Sequence, residues 1–170
     1  MLSFDIRSLE TKAVQVDGSV EPDDPIWEEG DSRPSEPIRV TGRLSTAGEG
    51  RFYFAGRIES RVEMDCRLCL ESVDVPVEED VHFILAEIGA EEADDPDVFL
   101  YDPNARILDL RSAVRETWLL TVPAFVECRE GCKGLCPTCG TNLNEGACDC
   151  APTKTDMRRN ALLKHQNNAR

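Results

Sequence analysis

This sequence of 170 residues has few of the groups that enzymes use, and few aromatic rings. Its only histidines are His82 and His165, and it lacks a nucleophile elbow, a phosphate-binding loop and a Ser/His/Asp constellation. No apolar run is long enough to span a membrane, and the first 30 residues do not resemble a secretion signal. We therefore expect a cytoplasmic protein that is not an enzyme, takes no small-molecule substrate and does not contact a membrane.

Basic residues are also scarce, at 19 Lys/Arg against 33 Asp/Glu, which gives a net charge of −14. Residues 1–127 carry a net charge of −17, whereas residues 128–170 carry +3 before any cysteine ionises. An acidic chain is repelled by bare phosphate, so any contact with nucleic acid is expected in the C-terminal part. With ten aromatic residues in the whole chain, that contact should be weak and non-specific. The alternative is a basic tail that is merely solvated. The candidate basic residues are Lys133, Lys154, Arg158, Arg159 and Lys164.

Cysteine, by contrast, is abundant and unevenly placed. Six of the eight cysteines fall in the segment CREGCKGLCPTCGTNLNEGACDC at residues 128–150, and the other two form a separate CRLC motif. Structural zinc takes four thiolate or imidazole ligands in a tetrahedron, usually supplied as two closely spaced pairs. Four close pairs therefore predict two zinc sites with four cysteine ligands each. The pairs are Cys66/Cys69, Cys128/Cys132, Cys136/Cys139 and Cys148/Cys150.

Two other uses of eight cysteines fit the sequence less well than zinc does. A disulfide framework is typical of secreted proteins, but a chain without a secretion signal stays in a reducing compartment. An iron–sulfur cluster is disfavoured because the spacing matches neither of the common ferredoxin patterns.

The CPTCG motif favours one division of the cysteines into sites. The proline restricts the backbone after the first ligand, and Gly140 permits the positive φ that such a turn needs after the second. Cys136 and Cys139 with Cys148 and Cys150 then form a compact site, CxxC-x8-CxC. The remaining cysteines form the second site. An alternative division stays open from spacing alone: Cys128, Cys132, Cys136 and Cys139 in one site, with Cys66, Cys69, Cys148 and Cys150 in the other.

Hydrophobic alternation predicts an α+β fold with an antiparallel sheet. Apolar residues alternate with polar ones in three runs, at 38–44, 52–64 and 73–85, which indicates half-buried strands. The CRLC motif lies between the second and third runs and should form a hairpin tip. A further short strand is expected at Val98–Leu100, within an exposed acidic loop at 86–104. Residues 1–16 should begin with a strand or a short helix.

One main amphipathic helix is predicted after this acidic loop. Asp109 should cap it, Leu110, Val114 and Trp118 should face the core, Arg115 and Glu116 should face outward, and Pro123 should end it. The Gly/Pro/Asp/Glu-rich segment 17–37 resembles a loop or mobile linker, which Trp27 could attach to the body. A second helix is expected at 155–166. The predicted organisation is an acidic β-rich body at 1–127 and a small, zinc-ribbon-like, metal-binding module with a basic tail at 128–170.

Three segments together resemble a known family: CRLCLE after a strand, ILDLRSAVRETWLLTVP at the helix, and CKGLCPTCGTNLNEGACDC. This combination is similar to the bacterial YceD family, also described as large ribosomal RNA subunit accumulation proteins. The resemblance covers roughly residues 38–164. It implies a role in the accumulation or processing of large-subunit (23S) rRNA during ribosome assembly. The implied partners are a ribosomal protein or the pre-ribosomal large subunit, with weak rRNA contact.

A second interpretation belongs to a different functional class. CxC together with CxxC also occurs in redox-regulated chaperones, in which oxidation of the cysteines ejects zinc and unfolds a segment. The sequence therefore leaves open a redox-regulated zinc protein with holdase activity.

Overall fold

The structure is a computed structural model that describes residues 2–48, 50–90, 95 and 97–150. Contacts within the chain divide it into two compact units. The first comprises Met1–Met64 and Val73–Phe125, and the second comprises Asp65–Ser72 and the chain from residue 126. The CRLC motif is thus grouped with the cysteine-rich segment. The predicted domain boundary between residues 127 and 128 stays a prediction, because grouping by contacts does not test which part folds independently.

The first unit contains a five-stranded sheet in the order β2-β3-β4-β5-β6 and a two-stranded sheet of β1 and β7. In chain order the elements are β1 Ser3–Asp5, α1 Ile6–Thr11, β2 Val14–Val20, β3 Ile38–Gly48, β4 Arg51–Asp65, β5 Ser72–Glu87, β6 Val98–Tyr101, β7 Ile107–Asp109 and α2 Arg111–Thr121. The three predicted strand runs are therefore confirmed as β3, β4 and β5. The opening segment contains both a strand and a helix.

The core of this unit lies on one face of the larger sheet, as alternation requires. Phe54 is fully buried, and its ring stacks on that of Phe83 with centroids 4.9 Å apart. Gly42 and Gly56 face each other across β3 and β4 beside this ring. A Cβ on either glycine would lie within 2.9 Å of the Phe54 ring and within 2.5 Å of a backbone oxygen. Glycine is therefore required at both positions.

The predicted antiparallel pairing is confirmed for β2 with β3 and for β3 with β4, but the sheet is mixed at one edge. β6 pairs with β5 in parallel, with Ile84 opposite Val98. The short strand predicted at Val98–Leu100 is confirmed as β6, but alternation carries no information on strand direction. Within the acidic segment 86–104, Glu91, Glu92 and Asp94 lie outside the described residues.

Helix α2 is confirmed, with two local corrections. Its N-cap residue is Leu110 rather than the predicted Asp109, which ends β7 and accepts a 3.0 Å hydrogen bond from the Arg111 N–H. Arg115 does not face solvent as predicted, because its guanidinium pairs with Asp31 at 2.7 Å and only 20% of its side chain is exposed. Ala113, Val114 and Trp118 form the buried face of the helix.

The segment 17–37 is not a free linker. Residues 17–20 belong to β2, so the prediction is wrong there. Beyond them, the Trp118 indole donates a 2.7 Å hydrogen bond to the Ser32 carbonyl, and Arg111 pairs with Asp24 at 3.3 Å. Trp27 is buried and attaches the segment to the core, as predicted. Composition indicated a loop, but it could not show these contacts with α2.

Among the described residues, no helix is both long and apolar enough to cross a membrane.

Candidate metal centres

The structure brings the eight cysteines together in two groups of four. The first group contains Cys66, Cys69, Cys128 and Cys132, and the second contains Cys136, Cys139, Cys148 and Cys150. This is the division that the CPTCG motif favoured, and the alternative division is not observed. All eight cysteines are free thiols, so the structure contains no disulfide framework among them. Both groups lie within the second unit.

The spacing of the sulfurs fits a tetrahedral ion. Within each group, the four sulfurs all lie within 4.8 Å of one another. In the first group, Cys66 Sγ is 3.9 Å from Cys132 Sγ, and Cys69 Sγ is 3.5 Å from Cys128 Sγ. Four sulfurs at about 2.3 Å from one zinc ion would be separated by about 3.8 Å. The four donors therefore fit a zinc ion with little movement.

The two CxxC turns have the same backbone structure. In the first turn, the Cys66 N–H donates to the Glu71 carbonyl at 2.8 Å, and the Leu70 N–H donates to the Cys66 carbonyl at 2.9 Å. In the second turn, the equivalent bonds from Cys136 and Gly140 are both 2.8 Å long. The residue after the second cysteine has a positive φ in each turn, +60° at Leu70 and +74° at Gly140. The left-handed backbone predicted for Gly140 is confirmed.

The first turn is the predicted tip between β4 and β5, and several contacts hold it to the segment after α2. The Arg67 N–H donates to the Val126 carbonyl at 2.9 Å, and the Arg67 guanidinium pairs with Glu127. The Leu135 N–H donates to the Leu68 carbonyl at 2.9 Å. These contacts bring Cys128 and Cys132 to Cys66 and Cys69.

Two asparagines of the NLN sequence connect the loop of the second group to the first group. The Asn144 amide donates to Cys132 Sγ at 3.3 Å and to Asn142 Oδ1 at 2.9 Å. The Asn142 amide in turn donates to the Glu71 carboxylate at 2.8 Å. Sequence reasoning missed these positioning residues and took NLNEG only as a turn. The available signal in the sequence was the presence of two asparagines, two residues apart, between the two cysteine pairs of the second group.

Hydrogen bonds to sulfur favour a thiolate at Cys66 in the first group, and they lower the pKa of both Cys136 and Cys139 in the second. Although burial raises it, three backbone N–H groups lower the pKa of the Cys66 thiol to about 6. In the second group, Thr141 lowers the pKa of the Cys139 thiol to about 6 through its hydroxyl and its backbone N–H. By contrast, the Glu71 N–H lowers the pKa of Cys69, but burial and the neighbouring sulfurs raise it to about 12. A divalent cation would offset the repulsion between neighbouring thiolates, so that all four thiols of a group could lose their protons.

The two groups differ in their exposure to solvent. Cys66 and Cys69 are buried, with at most 5% of each residue exposed. In the second group Cys136 is buried, Cys148 and Cys150 are half-buried, and Cys139 is exposed. The second group is therefore the more accessible to chelators and oxidants.

The predicted basic residues are only partly described. Lys133 is exposed and directly follows Cys132, and its backbone N–H donates to Asn144 Oδ1 at 2.8 Å. Lys154, Arg158, Arg159 and Lys164 lie outside the described residues, as does the helix predicted at 155–166. His82 is exposed and belongs to neither cysteine group.

Comparison with known proteins identifies the family. Residues 54–164 match the family model described as Large ribosomal RNA subunit accumulation protein YceD. The matched range includes all eight cysteines, strands β5 to β7 and helix α2. It also includes β4, except for the first three residues of that strand. No solved structure matches the chain.

Two curated plant relatives carry the name Large ribosomal RNA subunit accumulation protein YCED homolog 1, chloroplastic. The Arabidopsis thaliana protein is 32% identical over 56 residues, which cover 33% of this chain and 17% of the relative. The Zea mays protein is 24% identical over 150 residues, which cover 71% of this chain and 51% of the relative. The chain thus spans about half the length of one relative and less of the other. Because the family model matches most of the chain, including both cysteine groups, this protein belongs to the YceD family.

Proposed function

We propose that this protein is a non-catalytic assembly factor that supports the accumulation or processing of large-subunit (23S) rRNA. The observation that carries the proposal is the family match over residues 54–164. The names of both plant relatives describe the same role for those proteins. The proposed location of the protein is the cytoplasm.

The proposed role of the cysteines is structural. Each group would bind one Zn²⁺ ion through four thiolates, which makes the second unit a zinc-ribbon-like module. Catalytic zinc keeps an open coordination position for water, and four thiolates fill all four positions of a tetrahedral ion. The paired CxxC turns and the hydrogen bonds to sulfur support this assignment. We therefore propose that the protein is not an enzyme.

The proposed partners follow from charge. Ribosomal proteins are basic, and residues 1–127 carry a net charge of −17, so the body would attract a basic protein over a long range. The pre-ribosomal large subunit presents such proteins together with rRNA. Any weak rRNA contact would fall to the C-terminal basic residues, of which the structure describes Lys133.

Depletion of the protein in its native host tests this proposal. We expect a loss of mature 23S rRNA relative to 16S rRNA, restored by the wild-type gene. The tagged protein should also capture large-subunit proteins at low salt, and this capture should weaken at physiological salt, where the Debye length is about 8 Å. An unchanged 23S to 16S ratio on depletion would contradict the proposed function.

A charge variant separates the two kinds of partner. Replacing Lys154, Arg158, Arg159 and Lys164 by alanine should reduce the RNA that co-purifies and leave protein partners bound, because these side chains would act on phosphate. Full RNA recovery with this variant would show that the tail is not the RNA contact.

One observation favours the alternative of a redox-regulated zinc protein with holdase activity. Cys139 is exposed within the second group, where an oxidant could reach it. Zinc release by mild peroxide, followed by suppression of the aggregation of a model client, would support this alternative. Retention of zinc, or release without holdase activity, would reject it.

A further inference from the structure

A groove on the first unit combines acidic and apolar side chains. It has a volume of about 440 Å³ and lies between β5, the start of β6 and the C-terminal half of α2. Its acidic lining includes Glu79 and Asp97, and its apolar lining includes Phe99 and Leu120. Among the residues that the structure describes, no lysine or arginine lines it.

Two of the three carboxylates that line this groove lack partners within the described part of the chain. Neither Glu79 nor Asp97 makes a side-chain hydrogen bond or ion pair with a described residue. This sets them apart from Asp80 beside them, which pairs with Arg57 at 2.8 Å, and from Asp31, which pairs with Arg115. The groove therefore holds negative charge that no described residue neutralises at Glu79 or Asp97.

The apolar side of the groove is exposed to solvent at Leu120. Leu120 is 81% exposed, although it lies only two residues from the fully buried Trp118 on the same helix. Phe99 is half-buried and packs edge-on against Phe83, with ring centroids 5.3 Å apart. The Phe99 ring is thus held by packing within the first unit, whereas the Leu120 side chain is not part of the core.

We infer that this groove binds a basic segment of a partner protein. Lysine and arginine have long apolar stems and charged ends, so one such side chain can cover Leu120 and Phe99 while its charge approaches Glu79 or Asp97. RNA is disfavoured because phosphate would meet two unpaired carboxylates, and a second copy of this chain is disfavoured by its net charge of −14. The inference rests on the proposed function and gives the assembly factor a docking site for a basic protein.

A binding experiment with a defined peptide tests the inference. The probe is a fluorescein-labelled nine-residue peptide of alternating arginine and leucine, titrated with the full-length, zinc-loaded protein at low salt. The Glu79→Gln/Asp97→Asn variant should bind about tenfold more weakly, because two ion pairs are lost. Leu120→Ser should also weaken binding several-fold through lost apolar contact. Amide NMR spectra of the variants confirm that each is folded.

A matched control separates a site from net charge. Asp23→Asn/Glu29→Gln removes two charges from exposed positions that do not line the groove. This control should bind the peptide within about twofold of wild type, because distant exposed charges are largely screened. NMR shift changes on titration should centre on Phe99, Thr117 and Leu120. Equal weakening in control and groove variants, or shift changes elsewhere, would overturn the inference.

The same variants distinguish failure of the inference from failure of the proposed function. If wild-type protein and the groove variant capture large-subunit proteins from lysate equally, the groove is not the docking site, but the proposed function is retained. If depletion leaves the 23S rRNA level unchanged while the peptide binds in the groove, the proposed function is rejected and the docking site is retained.

Discussion

The Asn144 side-chain amide lies 3.3 Å from Cys132 Sγ, although Asn144 belongs to the loop between the cysteine pairs of the other group. The two candidate metal centres are therefore joined by a hydrogen bond from the loop of one to a ligand of the other. Removing a group that orients a metal ligand from outside the coordination sphere typically weakens metal affinity by about ten- to a hundredfold.

Replacing Asn144 by alanine should weaken zinc binding at the first group. We expect a loss of affinity of about tenfold, because Cys132 loses the amide that hydrogen-bonds to its sulfur and orients it. Competition with a chromophoric chelator measures the affinity of each zinc ion. The control is Asn104→Ala, since Asn104 belongs to the first unit, where its side-chain amide donates to Asp102 at 3.1 Å. Equal affinities for the variant and wild type would show that the bond has no role.

Replacing Leu70 by glycine should stabilise the second unit. Leu70 has a φ of +60°, the conformation that glycine supplies at the equivalent position in the other turn. Relief of this left-handed strain, less the added entropy of glycine, should raise the free energy of unfolding by up to about 1 kcal/mol. Leu70→Ala is the control, because it removes the exposed side chain and keeps the strain. Urea unfolding of the zinc-loaded proteins measures the free energy of unfolding of both variants. Equal stabilities of the alanine and glycine variants would contradict the prediction.

The two cysteine groups should differ in what they stabilise. Cys66→Ser should reduce hydrogen-exchange protection throughout the chain, because its group joins the β4–β5 tip to the segment after α2. Cys148→Ser should loosen mainly residues 133–150, since its group lies within one short segment. An equal, global loss of protection in both variants would contradict this separation of roles.

Acid should weaken the contact between Asp31 and α2. The hydrogen bond from Arg115, together with the Glu28 N–H, holds the pKa of Asp31 below its usual value. A lowered pKa contributes stability that is present above the ordinary value of about 3.9 and is lost as pH falls through the folded value. Asp31→Asn should therefore be less stable than wild type at neutral pH, and the difference should shrink below about pH 4.

Urea unfolding at a series of pH values, with wild type and variant compared at each, measures this difference. Asp23→Asn is the control, because the Asp23 side chain makes no ion pair with any described residue. A difference between wild type and Asp31→Asn that is constant from pH 7 to pH 3 would reject the prediction.

Local sequence patterns predicted the strands, the main helix and the division of the cysteines. Alternation in β3 to β5 reflects burial of one face, and the compact CxxC-x8-CxC spacing can close on one ion without help from distant residues. Both features depend on residues that are close together in the sequence, so local patterns are enough to predict them.

Long-range relationships were not predictable in this way. The parallel pairing of β6 with β5, the ion pair between Arg115 and Asp31, and the bond from Asn144 to Cys132 each join residues distant in sequence. Nothing in the local composition of 17–37 indicates that its aspartates face arginines of α2. Leu70 was missed for another reason, because positive φ is expected at glycine and leucine seldom adopts it.

The zinc content of the chain tests the central claim most directly. Native mass spectrometry of protein purified under reducing conditions, without chelator, gives the number of metal ions and disulfides on each molecule. The account predicts two zinc ions on a chain with no disulfide, one for each group of four cysteines. A chain with one zinc ion or none, or with disulfides in place of metal, would contradict it.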